Sequence, residues 1–265
     1  MTARLVKNTD IDHDAWAARL RDAYRGGSIP PLRDIVPHAS VDDAYAIQAA
    51  NTAFWLSQGR RRRGAKIGLT AKTVQAQLGV DQPDFGVLFE DMEVADGETV
   101  AAGRLIQPKI EAEVAFTLAR TPDTTDFDTL GASVAYAQAA LEIVDSRIAD
   151  WNIGIVDTVA DNASSALFVL GRKRVPLSAV DLRLCGMTLE KNGAIASVGV
   201  GAACLGNPLT ALAWLADMMA SVGEPLREGD VILSGALGPM VTATPGSAFT
   251  AAIAGLGEVS VRFEA

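Results

Sequence analysis

The chain has 265 residues, of which 49% are hydrophobic, and a formal net charge of −9 at pH 7. This composition predicts a folded protein with a large core, and the negative charge argues against binding to nucleic acid or to an anionic membrane surface. No run of about twenty apolar residues predicts a membrane span, and the acidic N-terminal segment lacks the apolar core of a signal peptide, so we expect a cytoplasmic protein.

The first part of the chain carries two helical patterns. One covers residues 12–25 and stops at a glycine pair. The other begins at Ser40, whose Ser-x-x-Asp spacing to Asp43 resembles a capping box, and it runs to about Gln58. We therefore expect a helical N-terminal region over residues 1–60.

Short strand patterns follow the helical region. In the first of them, residues 65–69, alternation places Lys66 on the face opposite Ile67. Thr70 then resembles the N-cap of a short helix that Gly79 closes.

The remaining patterns predict a β-rich catalytic domain over residues 61–265. Residues 132–144 fit either a buried strand or an apolar helix, and their last four residues favour a strand. Further predicted elements are strands within residues 87–118 around a turn at Asp96-Gly97, strands at 182–189, 231–234, 248–253 and 259–263, a hairpin at Asn192-Gly193, and a helix from Asn207 to Gly223. Since strands do not alternate with regular helices and no phosphate-binding glycine motif occurs, the pattern predicts an α+β fold.

The most informative stretch is a strand pattern with two acidic residues on one face. Alternation puts Lys109, Glu111 and Glu113 on one side and Ile110 on the other. Like charges so close repel each other, so the fold either leaves them in water beside the lysine or supplies a cation. Glu142 lies in an apolar run, where a carboxylate needs a strong partner. Three carboxylates favour a hard divalent ion.

Several other polar residues have ordinary interpretations when each is considered alone. Lys66 fits a surface lysine, and Asp84 lies in a turn-forming Gln-Pro-Asp-Phe-Gly segment. Asp157, Asp161 and Asn162 are consistent with helix caps.

Histidine and cysteine limit the possible chemistry. Cys185 and Cys204 lack metal-ligand spacing, which favours core positions, so a zinc site is not predicted. A histidine-assisted nucleophile would have to use His13 or His38, both near the N-terminus. The basic cluster 60–63 is short and fits a solvated loop.

Long segments of this sequence, in the same order, resemble the 2-keto-4-pentenoate hydratase family of the fumarylacetoacetate hydrolase superfamily. The resemblance extends from Pro31 to the last strand, and ordered matches of this length are far more specific than any single motif. The segments that carry it are residues 66–70, 79–86, 107–113, 142–148, 157–164 and 233–241.

The resemblance implies a fold, a metal site and a set of substrate contacts. The fold is a helical N-terminal cap on a mixed β-sheet roll, and the chain is expected to form a homo-oligomer. The implied ligands of Mg²⁺ or Mn²⁺ are Glu111, Glu113 and Glu142. The implied catalytic residues are Lys66 and Asp84, and the implied substrate-binding residues are Ser164, Leu88 and Gln107.

The implied reaction is the hydration of 2-hydroxypenta-2,4-dienoate to 4-hydroxy-2-oxopentanoate in the catabolism of aromatic compounds by meta-cleavage. The C1 carboxylate and C2 oxygen of the substrate would chelate the metal, C5 would be protonated, and water would add at C4. Asp84 is the candidate base, and Lys66 would support negative charge or relay a proton.

Three other functions compete with this interpretation. 4-Oxalocrotonate decarboxylase, a sister family, acts on a substrate with a second carboxylate, and the segment 235–240 offers no cation for it. Carbon–carbon bond hydrolysis would need one of the two N-terminal histidines. A non-catalytic metal- or anion-binding protein is the third alternative, because a fold can outlive its function.

Overall fold

The computed structural model describes residues 10–72, 75–76 and 80–265. In these residues the helices are α1 (His13–Gly26), α2 (Leu32–Ile35), α3 (Val41–Ser57), α4 (Phe127–Leu130), α5 (Ile155–Ala160) and α6 (Pro208–Ser221). The strands are β1 (Arg62–Gly68), β2 (Asp84–Phe89), β3 (Glu93–Val94), β4 (Thr99–Val100), β5 (Lys109–Leu118), β6 (Val134–Val144), β7 (Ser165–Leu170), β8 (Gly186–Lys191), β9 (Ala194–Val200), β10 (Val231–Ala236), β11 (Val241–Thr242), β12 (Ala248–Ile253) and β13 (Gly257–Phe263). The predicted α+β class is confirmed.

Both predicted N-terminal helices are present. The Ser40 side chain accepts a hydrogen bond from Asp43 N and the Asp43 side chain accepts one from Ser40 N, which is the predicted capping box. Helix α3 packs against α1 and α5, and Leu20 and Ile47 belong to the main hydrophobic core. The division at residue 60 stays a prediction, and the predicted helix from Thr70 to Gly79 lies partly outside the described residues.

The larger sheet carries the candidate site residues. Its strands follow the order β2, β1, β10, β5, β6, β7 and β3, and β11 also pairs with β5. Strand β1 is parallel to β10, whereas β5 and β6 form a long antiparallel pair. The segment 132–144, which fitted either a strand or a helix, therefore supplies a central strand.

The smaller sheet has the order β4, β13, β12, β8 and β9. Its β8–β9 hairpin turns at Asn192 and Gly193, both with positive φ, as the sequence predicted. The strand predicted from Leu182 begins only at Gly186, because the Asp181 side chain accepts hydrogen bonds from Arg183 N and Leu184 N and makes a turn there.

The two faces of the larger sheet differ in chemistry. The main core covers one face, which carries Ile67, Val114 and Ile143. Alternation places the neighbours of these residues, Lys66, Glu113 and Glu142, on the opposite face. A second, smaller hydrophobic cluster adjoins these charges and includes Leu88, Ala115, Ala140, Phe168 and Leu233. None of the helices in the described ranges is long and apolar enough to cross a membrane.

Candidate active site

The pairing of β5 with β6 brings three glutamates together. Glu111 lies directly opposite Glu142, and Glu113 follows two residues along on the same face of β5. One carboxylate oxygen from each residue lies within 4.8 Å of the others. The sheet register therefore joins carboxylates that lie far apart in the sequence.

Burial makes these three carboxylates costly to ionise. Glu113 and Glu142 are fully buried, and Glu111 is half-buried. Burial, followed by the charge of Glu142, raises the pKa of Glu111 to about 7. Burial and the two neighbouring glutamates raise the pKa of Glu113 well above its usual value. Burial also raises the pKa of Glu142, although Lys66 opposes the shift.

The oxygens of this acidic triad, Glu111, Glu113 and Glu142, are only partly satisfied. Glu113 Oε2 accepts a hydrogen bond from Gly235 N at 2.8 Å, and Glu142 Oε1 lies 3.1 Å from Lys66 Nζ. Within the described part of the chain, Glu113 Oε1 and Glu142 Oε2 are buried and accept no hydrogen bond. Native proteins rarely bury such atoms without a partner, and hard carboxylate oxygens suit Mg²⁺ or Mn²⁺. The residues present therefore fit a divalent ion.

Lys66 and Asp84 lie beside the triad on the adjacent strand pair. Gly68 is paired with Asp84 across β1 and β2, and a Cβ at Gly68 would clash with the Asp84 carboxylate and lie 3.6 Å from Lys66 Nζ. Both charged side chains are buried, and Asp84 Oδ2 accepts a hydrogen bond from Thr158 Oγ1 at 3.3 Å. The turn interpretation of Asp84 is wrong, because Asp84 begins β2.

The surrounding charges set the protonation of this lysine. Burial lowers the pKa of Lys66, but Glu142, Asp84 and the other two glutamates raise it further, to about 12. Burial raises the pKa of Asp84, although Lys66 opposes that shift. The site thus holds a protonated lysine beside a carboxyl group that gains a proton more readily than usual.

Ser164 lies in an unusual loop between α5 and β7. Asn162, Ala163 and Ser164 have φ values of 55°, 52° and 53°, a left-handed run that non-glycine residues rarely adopt. Among the described residues, no group forms a hydrogen bond with the buried Ser164 Oγ. The Ser164 carbonyl accepts a hydrogen bond from Asp145 N at 2.8 Å, which ties the loop to the end of β6.

The loop is supported by residues that the sequence favoured as helix caps. Asp157 accepts hydrogen bonds from Leu32 N and Gly154 N, so it caps short helices. Asp161 instead forms an ion pair with Arg147, and Asn162 makes two hydrogen bonds to the backbone of Val87 in β2. We predicted no role for Arg147, although it lies within one of the family-like segments.

Leu88 and Gln107 have different surroundings. Leu88 is fully buried in the smaller cluster, on the sheet face that carries the triad. Gln107 Nε2 donates to the carbonyls of Ser146 and Ile148 at 2.8 and 2.5 Å. Gln107 also lines a cavity of about 480 Å³ that none of the three glutamates lines. Its substrate-binding role stays a prediction.

Neither histidine in the sequence belongs to this group. His13 Nε2 lies 2.9 Å from Asp43 Oδ1 at the start of α3, and His38 is exposed. The structure therefore favours carboxylate and lysine chemistry over a histidine-assisted nucleophile.

Comparison with known proteins identifies the relatives of this arrangement. The family model described as fumarylacetoacetate (FAA) hydrolase C-terminal matches residues 57–264. The chain belongs to the fumarylacetoacetate hydrolase family. The predicted roll of this fold type is thereby confirmed.

Sequence relatives place the chain within the hydratase group of the family. A 2-keto-4-pentenoate hydratase from Dechloromonas aromatica is 57% identical over 96% of this chain and 97% of its own length. A 2-hydroxyhexa-2,4-dienoate hydratase from Comamonas testosteroni is 43% identical over 92% of this chain and 95% of its own length. The solved 4-oxalocrotonate decarboxylase from Pseudomonas putida G7, complexed with magnesium and adipate, is 34% identical, with a TM-score of 0.93 over 97% of this chain and 99% of its own.

Proposed function

We propose that this family member is a divalent-metal-dependent hydro-lyase that converts 2-hydroxypenta-2,4-dienoate to 4-hydroxy-2-oxopentanoate in meta-cleavage catabolism. The observation that carries this proposal is the buried acidic triad beside Lys66 and Asp84, with carboxylate oxygens that lack a protein partner. The hydratase relative at 57% identity supports the same reaction. A homo-oligomer is our expectation from the family, and a cytoplasmic location is our expectation from the sequence.

The three glutamates would hold the ion. The decarboxylase structure complexed with magnesium supports a divalent metal, and the oxygen-only ligand set supports our choice of Mg²⁺ or Mn²⁺. A bound hard dication supplies Lewis-acid withdrawal of charge from the C2 oxygen of the substrate. Glu142 can serve the ion through Oε2 while its other oxygen faces Lys66.

Lys66 and Asp84 would handle protons and charge. The Lys66 ammonium remains protonated at neutral pH and can stabilise negative charge that develops on the substrate. Asp84, whose pKa is raised by burial, can accept a proton from the attacking water and return one to carbon. These assignments give one cationic and one proton-exchanging group to a reaction that needs both.

Ser164 and Leu88 would contact the two ends of the substrate. The buried Ser164 hydroxyl can donate a hydrogen bond to the substrate carboxylate, because it has no partner among the described residues. Leu88, buried among apolar side chains on the triad's face of the sheet, can pack against the hydrocarbon tail.

The decarboxylase remains the second candidate because its structure matches nearly the whole chain. Its substrate has a carboxylate at the far end, which needs a cationic or polar contact. Residues 235–240 begin at the amide that bonds Glu113 and contain no charged side chain. This loop suits a short apolar tail and favours the hydratase.

Turnover of two substrates tests the choice. We expect metal-loaded protein to consume 2-hydroxypenta-2,4-dienoate, followed by its ultraviolet absorbance, and to form 4-hydroxy-2-oxopentanoate, identified by NMR. Faster carbon dioxide release from 2-oxohex-3-enedioate than hydration of the dienoate would overturn the hydratase in favour of the decarboxylase. Absence of both activities, despite stoichiometric metal, would support the non-catalytic alternative.

Asp84→Asn tests the role of the candidate base. Loss of a positioned proton-transfer group lowers kcat by about 10²- to 10⁴-fold. Metal affinity, measured by calorimetry, should change little, because Asp84 is not one of the three ligands. The matched control is Asp91→Asn, which neutralises an exposed aspartate and should leave kcat unchanged. Full activity of Asp84→Asn would remove this residue from the mechanism.

A further inference from the structure

Burial along β5 indicates the open side of the triad. Lys109, Glu111 and Glu113 occupy alternate positions on one face of this strand. The first two are half-buried, whereas Glu113 is fully buried. Access to the triad therefore lies toward the beginning of β5, where Lys109 is located.

Lys109 is held by an aromatic ring rather than by an acid. Its Nζ lies 4.2 Å from the centroid of the Trp151 ring, and Trp151 Nε1 donates a hydrogen bond to Gln107 O at 2.9 Å. Within the described ranges, no carboxylate lies within 4.0 Å of Lys109 Nζ. A cation on an aromatic face keeps its charge available for an anion.

Lys109 and Trp151 also belong to the wall of the cavity of about 480 Å³. Other parts of this wall come from the end of β11 and its following turn and from the end of β13, including Thr244 and Phe263. Asp150 and Glu264 contribute acidic groups, but Glu264 Oε2 already accepts a hydrogen bond from Ala102 N at 2.8 Å. None of the three glutamates lines this cavity, so Lys109, which lines it and shares their face of β5, is its link to the triad. The cavity is wide enough for a small carboxylic acid.

An anionic substrate needs a cation on this side of the site. The protein carries a net charge of −9, and the substrate must approach three clustered carboxylates. Lys66 is deeper and lies 3.1 Å from Glu142, so its charge is already partly compensated. Lys109 is the lysine that lies on the triad's strand face at the accessible end.

We propose that Lys109, seated on Trp151, forms an entry site that captures the substrate carboxylate in front of the metal centre. This inference rests on the proposed function, because the captured group belongs to the hydratase substrate. Capture raises the local concentration of substrate and orients its headgroup toward the triad, without a part in the bond-making steps.

Lys109→Met tests the entry site in the metal-loaded enzyme. We expect KM to rise about tenfold and kcat to stay within about twofold, because only the approach and orientation of the anion are weakened. The dependence of kcat/KM on ionic strength should become shallower, since one attractive charge is lost. Lys109→Arg should restore most of kcat/KM, because a guanidinium also stacks on tryptophan and binds carboxylates.

Two controls distinguish substrate capture from a general charge effect and from an effect on the metal. Lys173→Met removes one positive charge from an exposed lysine whose Nζ donates to Gly255 O, and it should leave KM and the salt dependence unchanged. Calorimetric titration with Mg²⁺ should give the same affinity for wild type and Lys109→Met. A weaker metal affinity would overturn the proposal, because Lys109 would then act through Glu111.

Two further results would reject the entry role of Lys109, and a third would reject the hydratase function. A fall in kcat with KM unchanged would assign Lys109 to the chemistry and overturn the entry role. Unaltered kcat/KM and salt dependence in Lys109→Met, beside an active wild type, would reject the entry site alone. An inactive metal-loaded wild type would reject the hydratase function itself, so the two failures are distinguishable.

Discussion

Glu142 of the acidic triad and Arg147 of a buried ion pair lie close together along the chain, yet their surroundings differ. Arg147 Nε lies 2.6 Å from Asp161 Oδ1, its backbone N donates to Asp161 Oδ2 at 2.9 Å, and its side chain also donates to the Asp161 carbonyl at 2.7 Å. The guanidinium rests 4.4 Å from the centroid of the Tyr24 ring. In the triad, by contrast, like charges face each other.

The comparison distinguishes charged side chains that stabilise the fold from charged side chains that are available to bind a ligand. A buried ion is tolerated when its partner and hydrogen bonds replace most of its water, as the contacts of Nε and Nη2 do for Arg147, although its Nη1 has no hydrogen-bond partner among the described residues. The triad incurs the same desolvation cost without that compensation from the described protein groups, which is a signature of a functional site. The stability of the metal-free protein should therefore respond oppositely to removal of a charge from each region.

The largest expected effect is on activity, from Glu113→Gln. This change keeps the size of the side chain and an acceptor for Gly235 N, but removes a charged ligand. We expect kcat/KM to fall by at least about 10³-fold, because the Lewis-acid contribution is worth several kcal/mol. Calorimetry should show weakened Mg²⁺ binding.

Without metal, Glu113→Gln should make the fold more stable, although it lowers activity. Removing a buried carboxyl group whose pKa is strongly raised should increase the free energy of unfolding in metal-depleted buffer, and more so at pH 8 than at pH 5. Urea denaturation measures this change. Wild-type activity of the variant in chelator-treated buffer would contradict the metal centre.

Arg147→Met should have the largest effect on stability. It leaves Asp161 buried without its cation, and breaking a buried pair in this way costs about 3 to 5 kcal/mol. Urea denaturation of wild type and variant, both metal-depleted, measures the difference.

A second variant tests whether the stability lost in Arg147→Met arises from the unpaired charge of Asp161. In Arg147→Met/Asp161→Asn the remaining amide is neutral and can still accept from the backbone N of residue 147. We expect it to recover part of the lost stability. A cost below about 1 kcal/mol for the single variant would place this pair with ordinary surface ion pairs.

The pH dependence of the metal-free protein follows from the raised pKa of Glu111. Burial and the charge of Glu142 raise this pKa from 4.5 to about 7, so between these values the unfolded chain has lost a proton that the folded protein retains. The unfolded state then binds fewer protons, and the free energy of unfolding falls as pH rises. At 1.36 kcal/mol per pKa unit, Glu111 contributes a loss of about 3 kcal/mol.

Comparison of wild type with Glu111→Gln isolates the contribution of Glu111 to this pH dependence. In Glu111→Gln the free energy of unfolding should fall less steeply with pH over the same range, while the other buried acids, including Asp161, continue to titrate in both proteins. Saturating Mg²⁺ should oppose the fall, because metal binding requires deprotonated carboxylates. A metal-free curve that rises with pH in wild type, relative to Glu111→Gln, would contradict the raised pKa.

Much of this arrangement could be predicted from local patterns, because strand alternation and helix caps are encoded by neighbouring residues. Alternation placed Glu111 and Glu113 on one face, and the Ser40 capping box formed as expected. The register that puts Glu142 opposite Glu111 depends on pairing between distant segments, which alternation alone does not fix. The apolar setting of Glu142 suggests it as a third carboxylate ligand, and the family resemblance implies the same three residues.

Local sequence patterns do not predict which charged residues pair when they lie far apart in the sequence. No local signal identified Arg147 as the partner of Asp161, because the side chains meet only after the loop adopts its left-handed run. The sequence of the arginine cluster fits a solvated loop, whereas Arg62 begins β1 and is half-buried. Sequence spacing shows which residues share a face, but not which charges meet across the fold.

The smallest expected effect comes from the exposed member of that cluster. Arg61 Nε lies 2.7 Å from Glu90 Oε2, but the two side chains are 79% and 44% exposed. Solvent and salt screen such a pair, so Arg61→Gln should change the free energy of unfolding by no more than about 0.5 kcal/mol. Arg62→Gln should cost more, because Arg62 pairs with Asp230 at 3.1 Å with only 15% and 10% of the side chains exposed. Equal effects in urea denaturation would mean that burial does not set the value of a charge pair in this fold, and the distinction between the triad and Arg147 would lose its basis.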